Sequence, residues 1–348
     1  MATNLRLPAK ERDSNMELLR IVCMLFILIH HFIVIVLYPE LTVRDGDLNP
    51  YRIACIVING FVYVGVNCFI LISGYYGIKF RLRSLFNLYC ICVFYTVLAA
   101  FLKYGLSDIQ FNKGLLYSIF LPFSHSKWWF ITCYVALYLV SPILNKAAQN
   151  LDRKEFVLSI ISLTVLNVYL GYYWHLHNIN GYNLVQFIYV YLIGAFLRKY
   201  PLKKLNQGRS MALYIIGALL WSIITVFSLK WKVPHWVALH YNNPFVLIAS
   251  IGLFVYMTKI CIHSRTINIF ASSVLAAYLL QGAPVYSLFD HFNQMLICPI
   301  HNDVLKILSM LALVVMGAFV LLFVSFLIDR IRLLLMKPVW WLYNKCFT

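Results

Sequence analysis

The chain is poor in charge. Asp, Glu, Lys and Arg make up only 12% of its 348 residues, against about a quarter in soluble domains. That excludes a soluble domain with a single anchor. Carboxylates are the scarcer sign, with 12 Asp and Glu against 29 Lys and Arg. All of them fall in loops or near the ends of apolar runs, Glu17 and Asp329 coming closest to the interior. Proton-coupled carriers usually place carboxylates inside the membrane, so their scarcity there argues against coupled transport. The nine cysteines form no CxxC and no Cys/His spacing suited to a metal, and they read as small buried apolar groups. No metal site is expected. No Ser-His-Asp set is evident, which leaves a hydrolase without support. No basic low-complexity tail or nucleic-acid motif accompanies the formal charge of +17, so nucleic acid is not an expected partner. No inverted internal repeat of the transporter kind is found. The first apolar run is too long for a cleavable signal peptide and lacks a small-residue cleavage site.

What the chain has is apolar length. Hydrophobic residues make up 62% of it, in runs near 15–38, 53–76, 85–104, 128–146, 156–174, 183–197, 211–229, 244–260, 267–288 and 304–328. About 20 apolar residues cross a bilayer as a helix. The expected fold is therefore all-α: a polytopic membrane helix bundle of about ten transmembrane helices. Residues 105–127, with Pro122 as a breaker, read as interfacial or re-entrant. Residues 1–14, carrying Arg6, Lys10 and Arg12, read as an N-terminal arm, 15–330 as the membrane domain, and 331–348 as a basic tail. Lys and Arg concentrate in the arm, in the loop holding Lys79, Arg81 and Arg83, in connectors 146–155, 198–210 and 259–266, and in the tail. Connectors 175–182, 231–243 and 289–303 are rich in His, Asn, Trp and Pro instead. The positive-inside rule then places both termini in the cytoplasm and the protein in the plasma or inner membrane, with the lipid bilayer as a partner.

The first run, Asn15 to Tyr38, organises the rest. It carries Glu17, Arg20, His30 and His31, and ionisable groups within a membrane helix mark sites or pathways. On an α-helix Arg20 and His31 lie about 20° apart on the wheel and about 16 Å apart along the axis. Glu17, Arg20, Met24, Ile27 and His31 form one stripe, while His30 points about 80° away from Arg20. The blander reading has Arg20 snorkelling to the headgroups and His31 as a satisfied buried histidine. Their sharing of one stripe favours a functional channel.

The pattern ELLRIxxMxxIxxHHF resembles the first helix of the acyltransferase 3 family, integral membrane acyltransferases that acetylate glycans or other envelope acceptors. GVNCFILISGYY resembles that family's second-helix signature, with Asn67 where many members carry an acidic residue. WWFxxxYxxLYLxSPxLN resembles its fourth helix. IFASSVLAAYLLQGAPVY is similar to a late helix that often reads Tyr-Leu-hydrophobic-His, with Gln281 in the place of the histidine. Gln281 read blandly is a helix-packing amide.

The resemblance implies an O-acyltransferase, most simply an O-acetyltransferase. Its donor would be cytosolic acetyl-CoA and its acceptor a hydroxyl of an envelope polysaccharide or lipid-linked glycan. His31 is then the candidate base or a covalent acyl carrier. Arg20 would hold the donor or keep the lumen polar, and Glu17 would orient Arg20. Lys79, Arg81 and Arg83 would clamp the donor's phosphates; topology alone would also explain them. His125, Lys127, Trp128, Tyr134 and Gln281 are the candidates for acceptor binding, although a membrane-interface belt accounts for the Trp pair. The competing function is a transporter or flippase of a lipid-linked sugar or small solute.

Overall fold

The computed structural model describes residues 13–39, 41, 47–104, 113–125, 128–176, 180–233 and 239–347. Every regular element among them is a helix. Helix α1, Ser14–His31, runs on into a wider π-type segment, Phe32–Leu37. After it come α2 (Pro50–Val62), α3 (Gly65–Tyr76), α4 (Leu82–Tyr104), α5 (Lys113–Phe120), α6 (Pro122–His125) and α7 (Trp129–Asn150). The chain continues through α8 (Arg153–Thr164, with a π-type extension to Tyr173), α9 (Leu184–Lys199), α10 (Gln207–Lys230) and α11 (Pro244–Thr258). It ends with α12 (Arg265–Ala271), α13 (Val274–Leu280), α14 (Ala283–Leu296), α15 (Asp303–Leu335) and α16 (Lys337–Phe347).

Local chemistry sets where these helices start. The side chains of Asn49, Asn183, Asn206, Asn243 and Asn302 each accept a hydrogen bond from a first-turn N–H of the helix that follows. Asparagine suits this N-cap position because its side-chain oxygen satisfies a donor that has no partner within the helix. At α2 and α11 a proline follows the cap, where its missing N–H costs nothing. Asp152 and Glu155 close a reciprocal capping box on α8.

Among the described residues seven helices are long and apolar enough to cross a membrane: Ser14–Leu37, Pro50–Tyr76, Leu82–Leu102, Trp129–Asn150, Arg153–Tyr173, Gln207–Lys230 and Asp303–Leu335. The expected ten are not all found among the described residues, for physical reasons. Helix α9 has 16 residues and α11 has 15, short of the usual span. The run expected at 267–288 is broken: Arg265–Leu280 and Pro284–Leu296 meet at 82°. Counted as one span, that pair raises the number to eight. The stretch expected to be interfacial contains the short α5 and α6, and residues 105–112 and 126–127 lie outside the described residues. The arm, residues 1–12, lies outside them too. Residues 331–335 continue α15, and α16 returns to pack Trp340 and Tyr343 against Phe86 of α4.

Helix α1 is central, packing on α2, α3, α11, α12, α13 and α15. The tight pair beside it is α3 with α9. A Cβ on Gly74 would collide with the Tyr191 carbonyl, and one on Gly194 with the Leu71 carbonyl. Small residues facing each other let two backbones meet at this distance, a common means of joining helices in lipid.

Candidate active site

A cavity of about 250 Å³ runs along α1. Arg20, Met24, Ile27 and His31 line it from that helix. Four of the five residues of the sequence stripe thus share one wall, as a 3.6-residue period requires. The fifth, Glu17, is buried and accepts a hydrogen bond from Arg20 at 3.0 Å. Arg20 and His31 stand about 16 Å apart along the axis, and the same cavity reaches both. The facing walls hold Ser73 from α3, Trp129 and Tyr134 from α7, Tyr278 from α13, and Tyr241 from the segment before α11.

His31 is the last residue of α1 before the π-type segment. Wider turns of this kind are frequent at functional sites. Its Nδ1 lies 2.8 Å from Oε1 of Gln281. His30 takes the opposite course: it is 5% exposed, its Nδ1 lies 2.6 Å from Oδ1 of Asn59, and its ring packs against Tyr63. The two neighbouring histidines therefore divide between core and cavity, because adjacent helical positions point about 100° apart.

The loop after α3 is held by its backbone. Gly77 ends α3 with φ +72° and ψ 123°, a positive-φ backbone that glycine adopts without a Cβ penalty. The Ile78 N–H donates to the Tyr191 hydroxyl at 2.9 Å, and Asn145 donates to the Ile78 carbonyl at 2.8 Å. The Arg81 N–H donates to the Tyr138 hydroxyl at 2.8 Å. Lys79 and Arg81 project from this braced loop, and Arg83 from the first turn of α4, as exposed side chains. The Arg83 guanidinium sits 5.2 Å over the ring of Trp340. None of the three lines the cavity, although Ser73 and Leu88, on either side of the loop, do.

The acceptor candidates separate. Tyr134 lines the cavity and Gln281 is bonded to His31. Trp128 precedes α7 and is not in the lining, whereas its neighbour Trp129 is. Lys127 and the side chain of His125 lie outside the described residues. Sequence reasoning missed Trp129, Tyr241 and Tyr278. Trp129 was absorbed by the belt reading, though Phe130 and Tyr134, one turn apart, mark a cavity-facing strip of α7. Nothing periodic marks Tyr241, which lies in a connector. There it stacks on Tyr63 at 4.5 Å and on Trp129 at 5.5 Å. Next to it His240 packs 6.1 Å from His175; burial, and then the nearby His175, push the His240 imidazole down to about 4.

Asn67 is buried and joins Gln186 in hydrogen-bonding the Tyr241 carbonyl, so at this position an amide braces the connector. Asp329 is 3% exposed, inside α15. Arg332 at 2.6 Å and Ser273 at 2.7 Å donate to it. Among the described residues no group of three or more His, Cys, Asp or Glu is arranged to hold a metal.

A family model described as an acyltransferase domain matches residues 13–330. No curated protein and no solved structure matches the chain.

Proposed function

Because the chain belongs to the acyltransferase 3 family, which its match over residues 13–330 shows, and is thus a membrane acyltransferase, we propose that it moves an acetyl group from cytosolic acetyl-CoA to a hydroxyl of an envelope polysaccharide or lipid-linked glycan. The observation that carries this is the single cavity joining Arg20 to His31. A cation and a base both line it, about 16 Å apart along the α1 axis, with mostly apolar side chains completing the lining.

In this reading both termini face the cytoplasm of a plasma or inner membrane, and Lys79, Arg81 and Arg83 meet the donor's phosphates at the mouth. Arg20, oriented by Glu17 at 3.0 Å, holds the polar end of the donor's pantetheine arm. The thioester then reaches His31. A neutral imidazole takes the proton of the acceptor hydroxyl as its oxygen attacks the carbonyl carbon. The C–S bond breaks, the acetyl group stays on the acceptor oxygen, and the thiolate leaves to be protonated as the free thiol of CoA. Trp129, Tyr134 and Tyr241 offer the faces and hydroxyls that suit a sugar ring. The test is transfer of radiolabelled acetyl from acetyl-CoA into glycans by inverted membrane vesicles carrying the protein. Incorporation that depends on the protein supports the reading. Movement of a lipid-linked sugar with no release of CoA thiol would overturn it in favour of a carrier.

A further inference from the structure

We propose that Gln281 is a positioning residue that keeps the His31 proton on Nδ1 and thereby leaves Nε2 as the atom that takes the acceptor's proton. This rests on the reading of His31 as the base. The amide oxygen Oε1 lies 2.8 Å from Nδ1. An amide oxygen only accepts, so the hydrogen bond forms only when Nδ1 carries the proton. A neutral imidazole with its proton there has its lone pair on Nε2. Among the described residues Nε2 meets no hydrogen-bond partner, and the ring lines the cavity.

The break in the helix places Gln281. It is the first residue after α13, with φ −61° and ψ 131°, so its backbone has already left helical geometry. Its N–H remains tied to the Ala277 carbonyl at 3.2 Å. Gly282 follows with open space around it, and the chain turns by 82° into α14. A continuous helix would carry residue 281 round with its neighbours. The break separates it from them and sets its amide against the end of α1, 250 positions away in sequence.

His30 provides an internal comparison. It too is held at Nδ1 by an amide oxygen, that of Asn59 at 2.6 Å, but it is buried and does not line the cavity. The same anchoring therefore serves packing at one histidine and presents a base at the other. A neutral amide orients the ring without a charge that would stabilise imidazolium. A carboxylate in its place would accept the same proton and raise the basicity of the ring.

The experiment uses the full chain in inverted vesicles, with acetyl transfer from acetyl-CoA as the readout and membrane insertion checked by yield and thermal stability. Gln281→Met keeps the length of the side chain and removes the acceptor. Locking a catalytic histidine in the wrong tautomer costs about 10⁴-fold. Releasing the ring is milder, so Gln281→Met should lower the rate at saturating donor by about tenfold or more, with KM for acetyl-CoA unchanged. Gln281→Glu should retain transfer, with the acid limb of its pH–rate profile moved to higher pH. An inserted Gln281→Met protein at the wild-type rate would overturn the proposal. So would Gln281→Glu as inactive as Gln281→Met, because the amide would then be donating to His31. His31→Ala separates the two levels: transfer at the wild-type rate by that variant sinks the reading of the base itself, whereas an inactive His31→Ala beside a normal Gln281→Met sinks only the role of Gln281.

Discussion

Replacing each of the two adjacent histidines by alanine should break two different properties. His31 lines the cavity and is only partly buried. His31→Ala removes one hydrogen bond, to a Gln281 amide that is itself only partly buried. A bond of that kind contributes about 1 kcal/mol, so the variant should stay folded. Loss of a general base costs about 10²–10⁴-fold in rate, which is ample to detect in a radiolabel assay. His30 is 5% exposed and Asn59 is fully buried. His30→Ala strands the Asn59 oxygen without a donor, at about 1–3 kcal/mol. The void left by the ring adds to this, for a total of about 2–5 kcal/mol. That should lower the thermal midpoint by several degrees while the protein that remains folded transfers at nearly the wild-type rate. The assay is paired: transfer at saturating acetyl-CoA per mole of folded protein, and the thermal unfolding midpoint in the same detergent. Folded His31→Ala transferring normally would refute the reasoning. His30→Ala with an unchanged midpoint and lost transfer would refute it equally, since the roles would then be exchanged.

Two further outcomes are expected. Replacing Lys79, Arg81 and Arg83 together by Gln should raise KM for acetyl-CoA with little change in the limiting rate; an unchanged KM in correctly inserted protein leaves them as orientation signals alone. Acid should destabilise the protein through His240, whose folded imidazole is lowered to about 4 from an ordinary 6.5. The denatured state binds the proton first, so this contribution is complete above about pH 6.5 and is lost as pH falls towards 4. The thermal midpoint of the wild type should fall relative to that of His240→Gln as pH drops from about 6.5 to 4, and parallel curves would contradict the assignment.

Much of the site was open to reading because α1 is regular. A single helical period puts Arg20, Met24, Ile27 and His31 on one wall and turns His30 away, and both divisions appear in the structure. The basic loop was visible as composition, but its bracing by Tyr138, Tyr191 and Asn145 was not, since those residues read as ordinary members of apolar helices. The belt reading of the Trp pair hid the difference between Trp128 and Trp129. Hydropathy sees both as aromatic and says nothing of which one faces inward.

Hydropathy and helical period are local quantities, and they determined the local facts: an all-helical membrane class, the run of α1 and the common face of its polar residues. Tertiary packing decided where helices shorten or break, which of two adjacent histidines meets a cavity, and that Gln281 stands beside His31. Those outcomes depend on chain segments up to 250 positions apart. Their free energies come from contacts that exist only once the bundle has closed, such as α3 on α9 at Gly74 and Gly194. No window along the sequence contains them.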